Sequence, residues 1–334
     1  MIRITLKAIL LLLFCVTSGQ AQDRIGYFFS TLFKQSNFIV KGNVTDVTIE
    51  PNAYKMTFSR EESYLGSVSI TTFEIITSIS KGYYISDEAY LSKGKSYILF
   101  LNNDKGYWSV TDGMGGVFSL NFKDDIQNIV QKFQANPNLF EPESISDLQE
   151  LFFASTMYKT RMRLLEDMRS NLSAEDLTFL QSLFEMDNRY YKAFSISKLG
   201  HLKIEQMLPQ IENLLKSSSD NFIISPCISA LGDIGNKESF NLIKDYLRNE
   251  DQGIRCAAIE ASGKIRDIYA LQFLKELYPF ETNIRNRPSI ITAVTRMPDK
   301  AAAVNTLKYF LTIENNPVFI NILKKRIASI EKKK

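Results

Sequence analysis

Apolar positions in the second half of the chain recur with a fixed spacing. Counted from Gly232, Ile228 lies four residues before, and Phe240, Ile243 and Leu247 lie eight, eleven and fifteen after. The same offsets from Gly263 give Ile259, Leu271, Leu274 and Tyr278; from Gly200 they give Ile196, Leu208, Ile211 and Leu215. Arg169 anchors Leu165, Leu177, Leu180 and Phe184, and Arg296 anchors Thr292, Val304, Leu307 and Leu311, of which only Thr292 is not apolar. Steps of three and four keep side chains on one helical face. Each unit therefore predicts a helix, a tight turn and a second antiparallel helix, about five pairs over 145–330. The anchor glycines predict the ends of the first helices, where left-handed backbone favours a residue without Cβ. Ser173 to Asp176 and Ser146 to Gln149 read as capping boxes, Asp220 and Asp251 as N-caps, and Pro209 as an opening-turn proline. A single pair cannot bury its own stripe, so the units must stack.

The first half changes period. After an amphipathic opening over 24–33, NFIVKGNVTDVTIE, AYKMTFS, SVSITTFEIITSI, SYILFL and GYWSV are rich in β-branched and aromatic residues, which favours strands. Turn signals separate them: Pro51-Asn52, Lys81-Gly82, Lys93-Gly94, Asn102 to Asp104, and the glycines at 113, 115 and 116. Short, closely spaced runs predict an antiparallel barrel or sandwich. KDDIQNIVQKF reads as a closing helix, and 135–144, with two prolines, as a linker.

The first residues change the compartment. MIRITLK carries two cations, AILLLLFCV is a short apolar run, and Gly19 and Ala21 sit at −3 and −1 of a cut before Gln22. That is the pattern of a signal peptide over 1–21, and it predicts an exported protein, periplasmic or extracellular. The run is too short to span a bilayer, and no second one follows. The formal charge of +3 falls to +1 without Arg3 and Lys7. A balance so near zero speaks against nucleic acid or an anionic membrane as partner. Cys15 leaves with the leader; Cys227 and Cys256 remain, and neighbouring helix axes about 8–10 Å apart favour buried thiols over a disulfide.

Units such as 254-IRCAAIEASGKIRDIYALQFLKELY-278 resemble HEAT repeats, in the short form found in phycobilisome-lyase-like repeat proteins. The likeness is carried by Arg255 near the start, the small residues Ala261 and Gly263, and the apolar helix at Leu271 and Leu274. It is closest over 187–280. It implies a binding scaffold; no residue here carries over the chromophore attachment performed by a minority of that family. In the first half, Val40, Gly42 and Val44, then Phe73, Ile75, Lys81 and Gly82, then Gly94, Tyr97, Leu99 and Phe100 resemble the strands of netrin-like barrels. That OB-related fold is shared with tissue inhibitors of metalloproteinases. Their metal-binding N-terminal cysteine has no counterpart in 22–134. The expected architecture is thus α+β and multi-domain: an N-terminal antiparallel netrin/OB-like β barrel over 22–134, followed by a HEAT-like α-solenoid, an α-α superhelix, over 145–330.

Candidate chemistry is sparse. The single histidine, His201, cannot supply a His-based triad or a multi-His metal site. The cluster 112-DGMGGV-117 lacks the G-K-[ST] and following helix of a phosphate cradle. Asp124-Asp125 and Glu141/Glu143 lack calcium-loop spacing, and Trp108 reads as core. No cofactor, no metal and no catalytic set is expected. The second helices of HEAT-type stacks line the concave side, and their outward offsets are Lys244-Asp245-Tyr246, Lys275-Glu276-Leu277 and Lys308-Tyr309-Phe310. Mixed charge with aromatics suits a protein or peptide partner. The reading is a non-enzymatic binding scaffold; the alternative is an inhibitor or ligand sensor acting through the β barrel, and an enzyme is a third.

Overall fold

A computed structural model describes residues 28–50, 53–67, 69–78, 91–104, 107–111 and 116–332. The expected leader, Lys81-Gly82 and residues 112–115 lie outside them. The described residues form two compact units, 28–172 and 173–332.

In the first unit, helix α1 (Phe29–Gln35) precedes strands β1 (Phe38–Glu50), β2 (Ala53–Leu65), β3 (Thr72–Ser78), β4 (Ser96–Asp104), β5 (Tyr107–Val110) and β6 (Val117–Ser119). The antiparallel ladder runs β3-β2-β1-β4-β5, with β6 also on β4. Val40, Val44, Phe58, Phe73, Ile75, Tyr97 and Leu99 share one buried cluster. Between the two valines lies Gly42, where a Cβ would stand 3.3 Å from Leu99 Cδ1. Residues 97–101 of β4 are all buried, so this strand is covered on both faces. The second cover is α1, whose Phe29 and Phe33 rings lie 6.0 and 5.3 Å from Phe118 and Phe100. The expected closed barrel is not formed by the ladder, which is open between β3 and the four-residue β5 among the described residues. Side chains span that gap: Trp108 lies 5.6 Å from Phe73 of β3, and its ring also lies 5.2 Å from Phe38 of β1.

Helices α2 (Lys123–Ala135), α3 (Ile145–Ala154) and α4 (Tyr158–Met168) complete the unit. The expected linker, 135–144, is instead folded onto it. Leu139 and Phe140 are buried, the Phe140 ring lies 5.6 Å from Phe33, and Asn136 Nδ2 donates to Ser144 Oγ at 2.8 Å. Two buried carboxylates then fix α4. Asp125 accepts the amides of Thr156 and Met157 at 2.9 and 3.0 Å, just ahead of α4. Asp167, near the other end of α4, accepts the amides of Phe29 and Ser30 at 2.9 and 3.2 Å, the first turn of α1. Helix α4, which periodicity assigns to the repeats, is therefore stapled at both ends within the first unit, and the division falls after Leu172. The capping box at Ser146 does not form; α3 starts after Ser144 with no side-chain cap.

The second unit runs α5 (Leu177–Glu185), α6 (Arg189–His201), α7 (Leu208–Ser217), α8 (Asn221–Ile234), α9 (Phe240–Ile243, continued by a 3₁₀ stretch, Lys244–Arg248), α10 (Gln252–Ile265), α11 (Ile268–Leu277), α12 (Asn286–Arg296), α13 (Lys300–Ile313) and α14 (Pro317–Glu331). Ser173 forms its capping box with Asp176, Asp220 and Asp251 cap α8 and α10, and Pro209 opens α7. The first helices α6, α8, α10 and α12 pack on one another in turn. The anchor glycines lie inside these helices, not at their caps. A Cβ on Gly232 would stand 2.6 Å from Ala261 Cα, and one on Gly263 2.7 Å from Ala293 Cα; Gly200 meets Ala230 in the same way. Left-handed backbone comes three residues after each anchor, at Lys203, Gly235 and Arg266, with φ of 56, 82 and 57°.

A second periodic device joins the pairs. Arg189 meets Asp220 at 3.7 Å, Arg255 meets Glu281 at 3.1 Å, and Arg287 meets Glu314 at 2.9 Å. Each arginine lies near the start of a first helix, and each acid lies in the segment leading to the next. The Glu281 and Glu314 side chains are only 1 and 2% exposed. Burial alone would raise both carboxyls, but the arginines and surrounding donors, including the Asn283 amide for Glu281 and the Asn315 and Asn316 amides for Glu314, outweigh it and hold both below the usual range. Helix α14 packs with Phe319, Leu323 and Ile327 inward and Lys324, Lys325 and Arg326 exposed.

Candidate functional site

The residues expected to form a ridge lie on the second helices. Asp245, Lys275, Glu276, Lys308 and Tyr309 are exposed and Lys244 is half-buried. The third outward offset is not outward: Leu277 and Phe310 are buried, Phe310 stacking on Tyr278 at 3.9 Å. It is the packing between successive second helices that takes these two side chains in. Tyr246 is half-buried and donates to the Leu215 carbonyl at 3.3 Å.

Much of the ridge is satisfied within the repeats. Lys275 Nζ lies 5.0 Å over the Tyr309 ring, Lys308 pairs with Glu331 at 2.9 Å, and Glu276 meets Arg248 at 3.5 Å and Gln272 at 3.1 Å. Exposed pairs of this kind contribute about 0–1 kcal/mol and exchange readily for a partner's groups. Lys244 differs: it makes no ion pair among the described residues and lines an open groove of about 390 Å³. The groove also contains Phe240, Asn241, Tyr269 and Phe273, with Lys237, Glu238 and Asp267 around it. Periodicity points to Leu271 and Leu274 and passes over Tyr269 and Phe273, which lie four apart on the other side of α11. An aromatic pair at helical spacing outside the core stripe was the available signal.

His201 is exposed at the end of α6. Cys227 and Cys256 are free; burial pushes the Cys227 thiol up to about 12 and Cys256 is raised as well, by burial and then by Glu260. Among the described residues no three His, Cys, Asp or Glu are placed to hold a metal ion, and no helix is long and apolar enough to cross a membrane.

The fold is that of an antiparallel β unit followed by an α-solenoid, a stack of antiparallel helix pairs. Residues 225–294 match the family of HEAT repeats, and the C-terminal region carries repeats of that kind. No curated protein sequence matches the chain. Among solved structures, the complex of CpcE and CpcF of phycocyanin lyase from Nostoc sp. PCC7120 is similar at 14% identity and a TM-score of 0.38, over 61% of this chain and 89% of that one. Human deoxyhypusine hydroxylase in complex with glycerol is similar at 14% identity and a TM-score of 0.33, over 55% and 72%. Likeness at this level says nothing of what this chain does.

Proposed function

We propose that the protein is an exported, non-enzymatic scaffold that presents its HEAT-repeat surface to a protein partner. The observation that carries this reading is the ridge itself: Lys244 and Asp245, Lys275 and Glu276, and Lys308 and Tyr309 stand at the same two offsets on successive second helices. A stack built from repeats offers extended surface in proportion to its length, and mixed charge interspersed with aromatic rings is the chemistry of a protein interface. Export follows from the segment 1–21, and the near-neutral mature charge favours a protein over nucleic acid.

The test is cross-linking capture from an envelope extract with the mature chain and its Lys244→Glu/Lys275→Glu/Lys308→Glu variant. Capture by the native chain and its loss in the variant is the expected result. Equal capture by both would remove the ridge from the interface.

A further inference from the structure

The groove between α9 and α11 breaks the regularity of the repeats. Tyr269 and Phe273 flank it with 73 and 36% of their surface exposed, while Phe240, 3% exposed, forms its floor in an edge-to-face contact with Phe273 at 5.6 Å. One repeat further on, α13 carries Ala302 and Thr306 at the matching places, so the stacking of pairs does not require aromatic rings there. Exposed rings gathered at a groove beside the buried stripe suit a recognition surface.

Its charges are unequally engaged. Of the four charged groups around it, Asp267 is committed to α11, accepting the Tyr269 amide at 2.8 Å where the helix's own positive end offsets it. Lys237 and Lys244 make no ion pair among the described residues, whereas Lys275 and Lys308 on the same ridge lie against Tyr309 and Glu331. Two ammonium groups therefore face the single uncommitted carboxylate of Glu238.

We propose that this groove docks an acidic peptide segment of a partner protein, which lays a large apolar side chain on Tyr269 and Phe273 and sets its carboxylates against Lys237 and Lys244. This deepens the scaffold reading and rests on it. The test is fluorescence anisotropy on the full mature chain with labelled Glu-Glu-Phe-Leu-Glu-Glu, its counterpart with lysine in place of glutamate, and its counterpart with Gly-Ser in place of Phe-Leu. The acidic apolar peptide should bind best. Lys237→Glu/Lys244→Glu should weaken it about tenfold and Tyr269→Ser about fivefold, as interface charges and aromatic anchors do. Tyr269 is exposed enough that its replacement leaves the fold intact, which a far-UV melt verifies.

No binding, equal binding of the lysine peptide, or undiminished binding in both variants would overturn the proposal. So would self-association of the chain that Tyr269→Ser abolishes, since the groove would then belong to a second copy. If these peptides fail while the ridge variant still loses its native partner, the groove falls and the scaffold stands.

Discussion

Gly232 and Ala261 bring two helices of successive repeats into backbone contact: a Cβ on Gly232 would stand 2.6 Å from Ala261 Cα. Gly232→Ala is the sharper for running against helix propensity, which favours alanine by about 1 kcal/mol inside a helix. Packing should win, because the obstructing atom is backbone. We expect a net loss of about 1–3 kcal/mol, read as a lower urea midpoint by far-UV circular dichroism. A gain would mean that the helices separate without cost.

The left-handed positions three residues further on predict the opposite sign. Arg266, with φ of 57°, does what Gly235 does at 82° in the preceding repeat. A side chain there costs about 1–2 kcal/mol of strain, against about 0.5–1 kcal/mol for the greater freedom of an unfolded glycine. Arg266→Gly should therefore raise the midpoint slightly, and Lys203→Gly likewise. A fall at both would show that these side chains contribute contacts exceeding the strain.

Glu281 accepts from Arg255 at 3.1 Å with a side chain 1% exposed. Removing one partner of a buried ion pair leaves the other charge uncompensated, so Glu281→Ala should cost about 3–5 kcal/mol. The folded carboxyl is held below its unfolded value of 4.5. Its contribution is accordingly complete above that value and lost as pH falls through the folded one. Urea midpoints of native chain and variant should converge in acid; a constant difference would place the effect in packing alone.

Asp167 behaves in the reverse sense. Burial pushes its carboxyl up to about 6, against the Ser30 and Phe29 donors and the Arg163 charge, from an unfolded value of 3.8. The folded state thus holds the proton more tightly, and stability of the first unit should fall as pH rises from about 4 to 6, by at most about 1.4 kcal/mol per unit. Asp167→Asn keeps an acceptor for the α1 amides and should flatten that part of the profile. The only tryptophan, Trp108, lies in this unit, so its fluorescence reads this transition directly. An unchanged slope in the variant would sink the assignment.

Local features were legible in the chain because they rest on few neighbours. The caps at Asp220 and Asp251, the box at Ser173, the opening-turn Pro209 and the buried stripe through Ile211, Ile243 and Leu274 all depend on residues within a turn or two. Glycine at 200, 232 and 263 was visible as a period but not as a cause. A left-handed cap and a close helix contact both select for a missing Cβ, and only the neighbouring helix tells them apart. Lys244, Lys275 and Lys308 likewise share one offset, yet only Lys244 lies in the groove, because Tyr309 and Glu331 reach the other two from the next elements.

By itself the sequence determined that helix pairs recur with a period of 31–33 residues over its second half and that strands precede them, since hydrophobic periodicity is a one-dimensional property. Tertiary structure decided where the units divide and how far the sheet closes. Asp125 and Asp167 reach amides 31 and 138 residues away, and Trp108 meets Phe73 across an open ladder. Buried carboxylates and backbone amides must find one another wherever the chain brings them, and no local pattern records that meeting.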